Sequence, residues 1–107
     1  MTDTTPLSPD DLNAYLAALS DPYCRATITH FKTQSITTTT LEILSADLLA
    51  FESIHTTHEK TASHLHHAAL TQLHTLDVIS YDPTTHKITY NGHEHIEALI
   101  DRINTIS

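Results

Sequence analysis

The sequence predicts a mainly α-helical chain carrying one small β-hairpin. Two observations set this expectation. From Thr61 to Leu76 apolar residues recur at three and four, and directly after Asp77 the pattern changes to that of two short strands. A third concerns order: three helix starts precede the long helix, and a Thr-rich segment, Ile36 to Thr39, is available as a third strand. A helix that runs straight into a hairpin, behind such a set of helices, has the element order of a winged helix-turn-helix.

Residues 1–7 read as a loose leader, and residues 8–107 as one domain. Ser8-Pro9-Asp10-Asp11 is a helix start, with Ser as N-cap, Pro at the first helical position and acids in the first turn. Leu12, Tyr15, Leu16 and Leu19 follow as its apolar stripe. Ser20-Asp21-Pro22 ends that helix and opens the next, with Asp21 as cap. The second helix is expected to reach about Gln34 and to bury Ala26, Ile28 and Phe31 in some combination. Thr39-x-x-Glu42 reads as a capping box opening a third helix, Leu41 to about Phe51, with Leu41, Leu44, Leu48 and Phe51 inward. Ser53 to Lys60 reads as a polar connection, longer than the usual helix-turn-helix linker.

The fourth helix, expected over about 61–77, places Ala62, Leu65, Ala69, Leu73 and Leu76 on one face and His64, His67, Thr71 and His74 on the other. It would be roughly 24 Å long, enough to lie in a major groove while packing on a domain. Between Thr61 and Leu76 there is no Asp, Glu, Lys or Arg, in a chain with 13 acids. A surface that approaches phosphates requires such an absence of acids. The wing is expected over about 78–90, with Val78 to Tyr81 and Lys87 to Tyr90 as strands and Asp82-Pro83-Thr84-Thr85-His86 as the tip. Such a hairpin is marginal alone and must lie against helices or a third strand. Asn91-Gly92, holding the only Gly, turns the chain into a last helix over about 92–105, where Ile96, Leu99, Ile100, Ile103 and Ile106 repeat at three and four.

At 107 residues the chain supports one modest core. The single Cys24 excludes an internal disulfide and suits a reducing cytoplasm, and no apolar run is long enough to span a membrane. Five Lys plus Arg against 13 Asp plus Glu give a net charge of −8. At ordinary ionic strength that charge opposes tight non-specific binding to a polyanion. The opposition weakens in molar salt, where the Debye length is about 3 Å. Scarce Lys, excess acid and many Thr suit a salt-loaded cytoplasm of that kind, so a halophilic source is expected. The ten histidines are read mainly as uncharged polar filler, although protonating all of them would shift the formal charge from −8 to +2.

For recognition of duplex DNA the candidates are Ser63, His64, His67 and Thr71 in the N-terminal half of the fourth helix, with Lys60 at its start and Lys87 in the wing for phosphates. His66 lies nearer the apolar side and reads as a partly buried, hydrogen-bonded residue. Leu12 and Leu16, with Ile96, Leu99, Ile100 and Ile103, are the candidate homodimer interface, the alternative being that the last helix folds back on its own domain. His64 with His67, His93 with His95, and His55 with His58 offer imidazole pairs for a metal-responsive regulator, but no third or fourth ligand can be assigned. No metal site or cofactor is therefore expected. There is no phosphate loop, nucleophile elbow or HExxH, and Cys24 has no local His partner, so no enzyme is expected.

Two stretches resemble a known family. Leu19-Ser20-Asp21-Pro22 followed by Arg25-Ala26, and Leu65-His66-His67-Ala68-Ala69-Leu70-Thr71-Gln72-Leu73 running into Val78-Ile79-Ser80-Tyr81-Asp82, resemble haloarchaeal winged-helix proteins of the ArsR-like superfamily. The resemblance covers about residues 9–90. It implies a DNA-binding transcriptional regulator, often dimeric, and fits the salt-loaded cytoplasm. This chain departs from the pattern with Thr71-Gln72 in place of Pro-Lys and with Asp77 in place of Gly. The first departure removes a possible phosphate contact. The second leaves Asp77 to take up the left-handed conformation that ends a helix. A winged helix that serves protein interaction or dimerisation without DNA is the main competing expectation.

Overall fold

A computed structural model describes residues 9–51 and 54–106 of the chain. The expected leader, the Ser8 cap and the Ser53 start of the connection lie outside them, as does the Ile106 side chain. The described residues form a helix-rich fold around a three-stranded antiparallel sheet. The first helix, α1, spans Pro9–Leu19 and α2 spans Pro22–Gln34. Asp21 caps α2 as expected, its carboxylate accepting from Tyr23 N at 2.9 Å, while Arg25 Nη1 donates to Leu19 O at 2.6 Å and satisfies the end of α1.

The strand β1 (Thr38–Thr40) precedes α3 (Leu41–Leu48). The cap of α3 is Thr40, whose hydroxyl accepts from Ile43 N, not Thr39, which is paired with Ile88 in the sheet. Thr40 closes the strand opposite Lys87 and, still extended, also caps the helix, which shifts the cap by one residue. The helix also ends at Leu48, three residues short of expectation, where Ala50 N and Phe51 N turn back to Asp47 O and Leu48 O in tighter bonds. Leu41, Leu44 and Leu48 are buried as expected, and Phe51 packs at the margin of the core.

The long helix is one rod in three pieces: α4 (His58–His64), a π-helical turn (Leu65–Ala69) and α5 (Leu70–Thr75). It starts three residues earlier than expected because the Thr57 hydroxyl accepts from Lys60 N and caps it, which brings Glu59 and Lys60 into the first turn. The π turn alters the inner face. With Leu70 N bonded to Leu65 O, five residues complete the turn and Leu70 returns beneath Leu65. Leu65, Ala69, Leu70 and Leu73 are thereby all fully buried, whereas Ala62 and Leu76 lie only partly inside.

The hairpin follows with β2 (Ile79–Asp82) and β3 (Lys87–Tyr90), and the strand order is β1-β3-β2. The Thr-rich strand thus supplies the third strand the hairpin needs. Ile88 is the hub of the sheet, paired with Thr39 on one side and Tyr81 on the other. Ile79 and Tyr81 point inward and Ser80 and Asp82 outward, the alternation of a half-buried strand. Gly92 (φ 81°) turns the chain into α6 (Glu94–Ile106).

This last helix folds back on its own domain. Ile96 and Ile100 are 0% and 1% exposed within the single chain, so they belong to the monomer core and not to a dimer interface. The Phe31 and Tyr90 rings stack at 5.1 Å, the Tyr90 hydroxyl donates to Glu97, and Lys32 Nζ donates to Asp101 Oδ1 at 2.7 Å. No helix among the described residues is long and apolar enough to cross a membrane.

Asp77 adopts φ 62° at the end of the rod, the left-handed conformation read from its departure from Gly. Asp77→Gly is expected to leave the melting temperature unlowered, and Asp77→Val to cost about 1–2 kcal/mol, since a β-branched side chain meets the following carbonyl there. Thermal denaturation of the two variants checks this.

Candidate nucleic-acid interface

Four of the residues singled out for DNA share one exposed face. Lys60, Ser63, His67 and Thr71 step along the outside of the rod at three and four, and all are exposed. Lys87 is also exposed, at the start of β3. Among the described residues no carboxylate approaches Lys60 or Lys87 within ion-pair distance. The nearest acids along the chain are Glu59, one residue before Lys60 and therefore rotated off the stripe, and Asp82, the cross-strand partner of Lys87. Asp82 is turned to the tip: Oδ1 accepts from Thr84 N at 2.9 Å and from Thr85 N, and these bonds hold its carboxyl below the usual aspartate range.

His64 does not join this face. Its Nε2 lies 2.7 Å from Asp21 Oδ2, and its ring rests 4.3 Å from that of Tyr23. The carboxylate that caps α2 through Oδ1 therefore also holds the rod through Oδ2. The expected role of His64 in base recognition gives way to a structural one, because the histidine that ends α4 meets a carboxylate at the α1–α2 junction. Among the described residues no group of three or more His, Cys, Asp or Glu side chains is placed to hold a metal.

The hairpin is fastened to the rod through a single residue. Tyr81 donates its backbone N–H to His74 Nδ1 at 3.2 Å, and its hydroxyl meets His66 Nδ1 at 2.6 Å. Since Tyr81 lies on the strand edge away from β3, its N–H would otherwise have no partner in the sheet. Burial, and secondly the charge of Asp82, push the Tyr81 phenol pKa upward, so the hydroxyl keeps its proton. His66 is thus the partly buried, hydrogen-bonded residue expected from its place between the faces. His74 and Tyr81 were not singled out as functional. The available signal was their proximity in sequence across the helix end, which obliges the last turn of the rod to lie beside β2.

A cleft of about 330 Å³ opens between rod and hairpin, lined by His66, Thr71, His74, Tyr81 and Pro83. A larger one, about 420 Å³, lies between α2 and the end of α3 and shares no residue with this face. There His30 Nε2 sits 3.2 Å from Asp47 Oδ2 but off the line of a hydrogen bond. Cys24 is sealed behind the rod, its thiol directed at Ala69 O and Gln72 Oε1, and burial pushes its pKa up to about 12. A thiol held in that state is no nucleophile at neutral pH.

Leu12 is half-buried and Leu16 is 46% exposed on α1, while Leu99 and Ile103 pack partly against the core. Ile43 on α3 (53%) and Leu49 just past its end (38%) are the other large apolar residues exposed among those described. Compared with known proteins, the chain matches no family model, no curated protein and no solved structure.

His64→Ala is expected to lower stability by about 1 kcal/mol, the worth of one half-exposed hydrogen bond to a charged partner. Chemical denaturation measures this, and an Asp21→Asn, His64→Ala double variant that loses the full sum of the two singles, where a coupled pair loses less, would contradict the pairing.

Proposed function

We propose that the chain is a winged helix-turn-helix regulator of transcription that binds duplex DNA in the cytoplasm, with the rod in the major groove and the hairpin over the adjacent backbone. The observation that carries this reading is the exposed stripe Lys60, Ser63, His67 and Thr71, free of carboxylates and flanked by Lys87 of the hairpin. Hydroxyl and imidazole groups on such a face hydrogen-bond base edges, and the two lysines suit phosphates. The sheet order, with the strand before α3 joining the hairpin, supports the winged-helix arrangement.

A salt-loaded, halophilic setting accommodates the net charge of −8, because screening shortens the reach of the distant acids more than that of direct contacts. The dimer belongs to this reading with a smaller interface than the sequence suggested, built on Leu12 and Leu16 of α1 with Leu99 and Ile103 of α6.

A second reading has its own observation. Ile43 on α3 and Leu49 just past its end expose apolar surface beside the rod, which suits docking on another protein. Selection of duplexes from a random pool in molar KCl separates the two. Wild type is expected to enrich one motif, as inverted half-sites about 10 bp apart if it binds as a dimer. Ser63→Ala with His67→Ala is expected to abolish the enrichment while the melting temperature holds. A folded wild type that enriches nothing would favour the protein-docking reading.

A further inference from the structure

The clasp between hairpin and rod has a chemical consequence for the cleft above it. A backbone N–H can only donate, so His74 Nδ1, which receives the Tyr81 N–H, is the unprotonated nitrogen and the ring carries its proton on Nε2. The Tyr81 hydroxyl has no other partner among the described residues than His66 Nδ1. We take the hydroxyl as the donor in that bond, which leaves His66, like His74, with its N–H at Nε2. Neither Nε2 has a hydrogen-bond partner among the described residues. Both rings line the cleft together with Thr71, whose hydroxyl makes only a long 3.4 Å bond to His66 O.

We propose that this cleft is an oxyanion site that takes a phosphodiester, with His66 Nε2–H, His74 Nε2–H and the Thr71 hydroxyl as donors. The inference rests on the DNA-binding reading when the phosphodiester is that of a duplex, and the same chemistry would accept free phosphate. Pro83 and the Tyr81 ring form the apolar remainder of the lining, suited to the sugar beside the phosphate. Three charged or titratable groups stand around the mouth. His67 and His86 lie with their rings 4.9 Å and 5.6 Å from that of His66, and Lys87 is exposed on β3. The one nearby carboxylate, Asp82, is occupied by the Thr84 and Thr85 N–H groups and lines the neighbouring hollow with Lys87. Neutral imidazole donors hold an anion without adding permanent charge, so binding here does not depend on the basic patch the chain lacks.

The test uses the full chain with isotope-labelled histidines, titrated with dimethyl phosphate and with inorganic phosphate at constant ionic strength. The His66 and His74 ring signals are expected to shift saturably while histidines elsewhere stay still. His74→Asn places an amide oxygen where Nδ1 stood, so it keeps the acceptor for the Tyr81 N–H but removes the Nε2–H. This variant is expected to weaken phosphate binding at least about threefold, and to weaken a selected duplex about tenfold without changing the preferred motif, as a backbone contact does. Shifts that are linear and alike for all histidines, or a folded His74→Asn that binds phosphate like wild type, would overturn the site. Phosphate saturation without competition from any duplex would keep the oxyanion site and assign it to free phosphate, against the DNA reading. Duplex binding undiminished in His74→Asn would overturn the site as a duplex contact and leave the DNA reading standing.

Discussion

The burial of Leu65, Ala69, Leu70 and Leu73 fixes the rotation of the long rod about its own axis, and nearly everything on the outer surface follows from that setting. Each of the three leucines contributes about 1.5–3 kcal/mol on leaving water, so turning the rod by even one residue would forfeit much of the core. A regular helix cannot place all four inside, since Leu65 and Leu70 are a turn and a half apart at ordinary pitch. The π turn resolves this by spending five residues on one revolution. It also frees local carbonyls for other partners: Cys24 Sγ approaches Ala69 O, and Thr71 Oγ1 reaches His66 O. The outer stripe from Lys60 to Thr71 is the complement of this buried face.

Two hydrogen-bonded joints then hold the rod to its neighbours. Just before the π turn His64 meets Asp21, and from the π turn onward His66 and His74 meet Tyr81. Histidine suits both places because a neutral ring offers one donor and one acceptor with no obligatory charge to bury. This gives a structural use to three of the ten histidines, which composition alone presented as filler. It also clarifies the charge problem. The rod bears no acid after Glu59, and the acid closest to the hairpin face, Asp82, is engaged by the tip.

Much of the fold was legible because it is local. The Asp21 cap, the second hairpin strand Lys87–Tyr90, the left-handed Asp77 and the inward residues of α2 and α3 each depend on a few neighbouring residues. The first hairpin strand runs one residue later than expected, Ile79–Asp82, with Asp82 in the ladder. What escaped depends on contacts distant in sequence. A single period cannot reveal a π turn. Nor can it show that His64 will find a carboxylate at the α1–α2 junction, or that Ile96 and Ile100 will be covered by their own domain. The Thr57 cap was missed for another reason: the polar run before it gave no apolar period to announce a helix, although Thr57 followed by Glu59 is an ordinary helix start. Of the candidate site, the outer residues Lys60, Ser63, His67 and Thr71 were readable from spacing, whereas the His66–Tyr81–His74 clasp needed the strand brought against the helix.

The most direct test of the helix and hairpin as one DNA-facing surface is a residue-resolved backbone amide titration of the full chain with duplex DNA in molar KCl. The expected result is a set of perturbations confined to Lys60, Ser63, His67, Thr71 and the hairpin from Tyr81 to Lys87, with Ile43, Leu49 and Leu16 unmoved. Perturbations centred on Ile43 and Leu49, with the outer face of the rod silent, would contradict it.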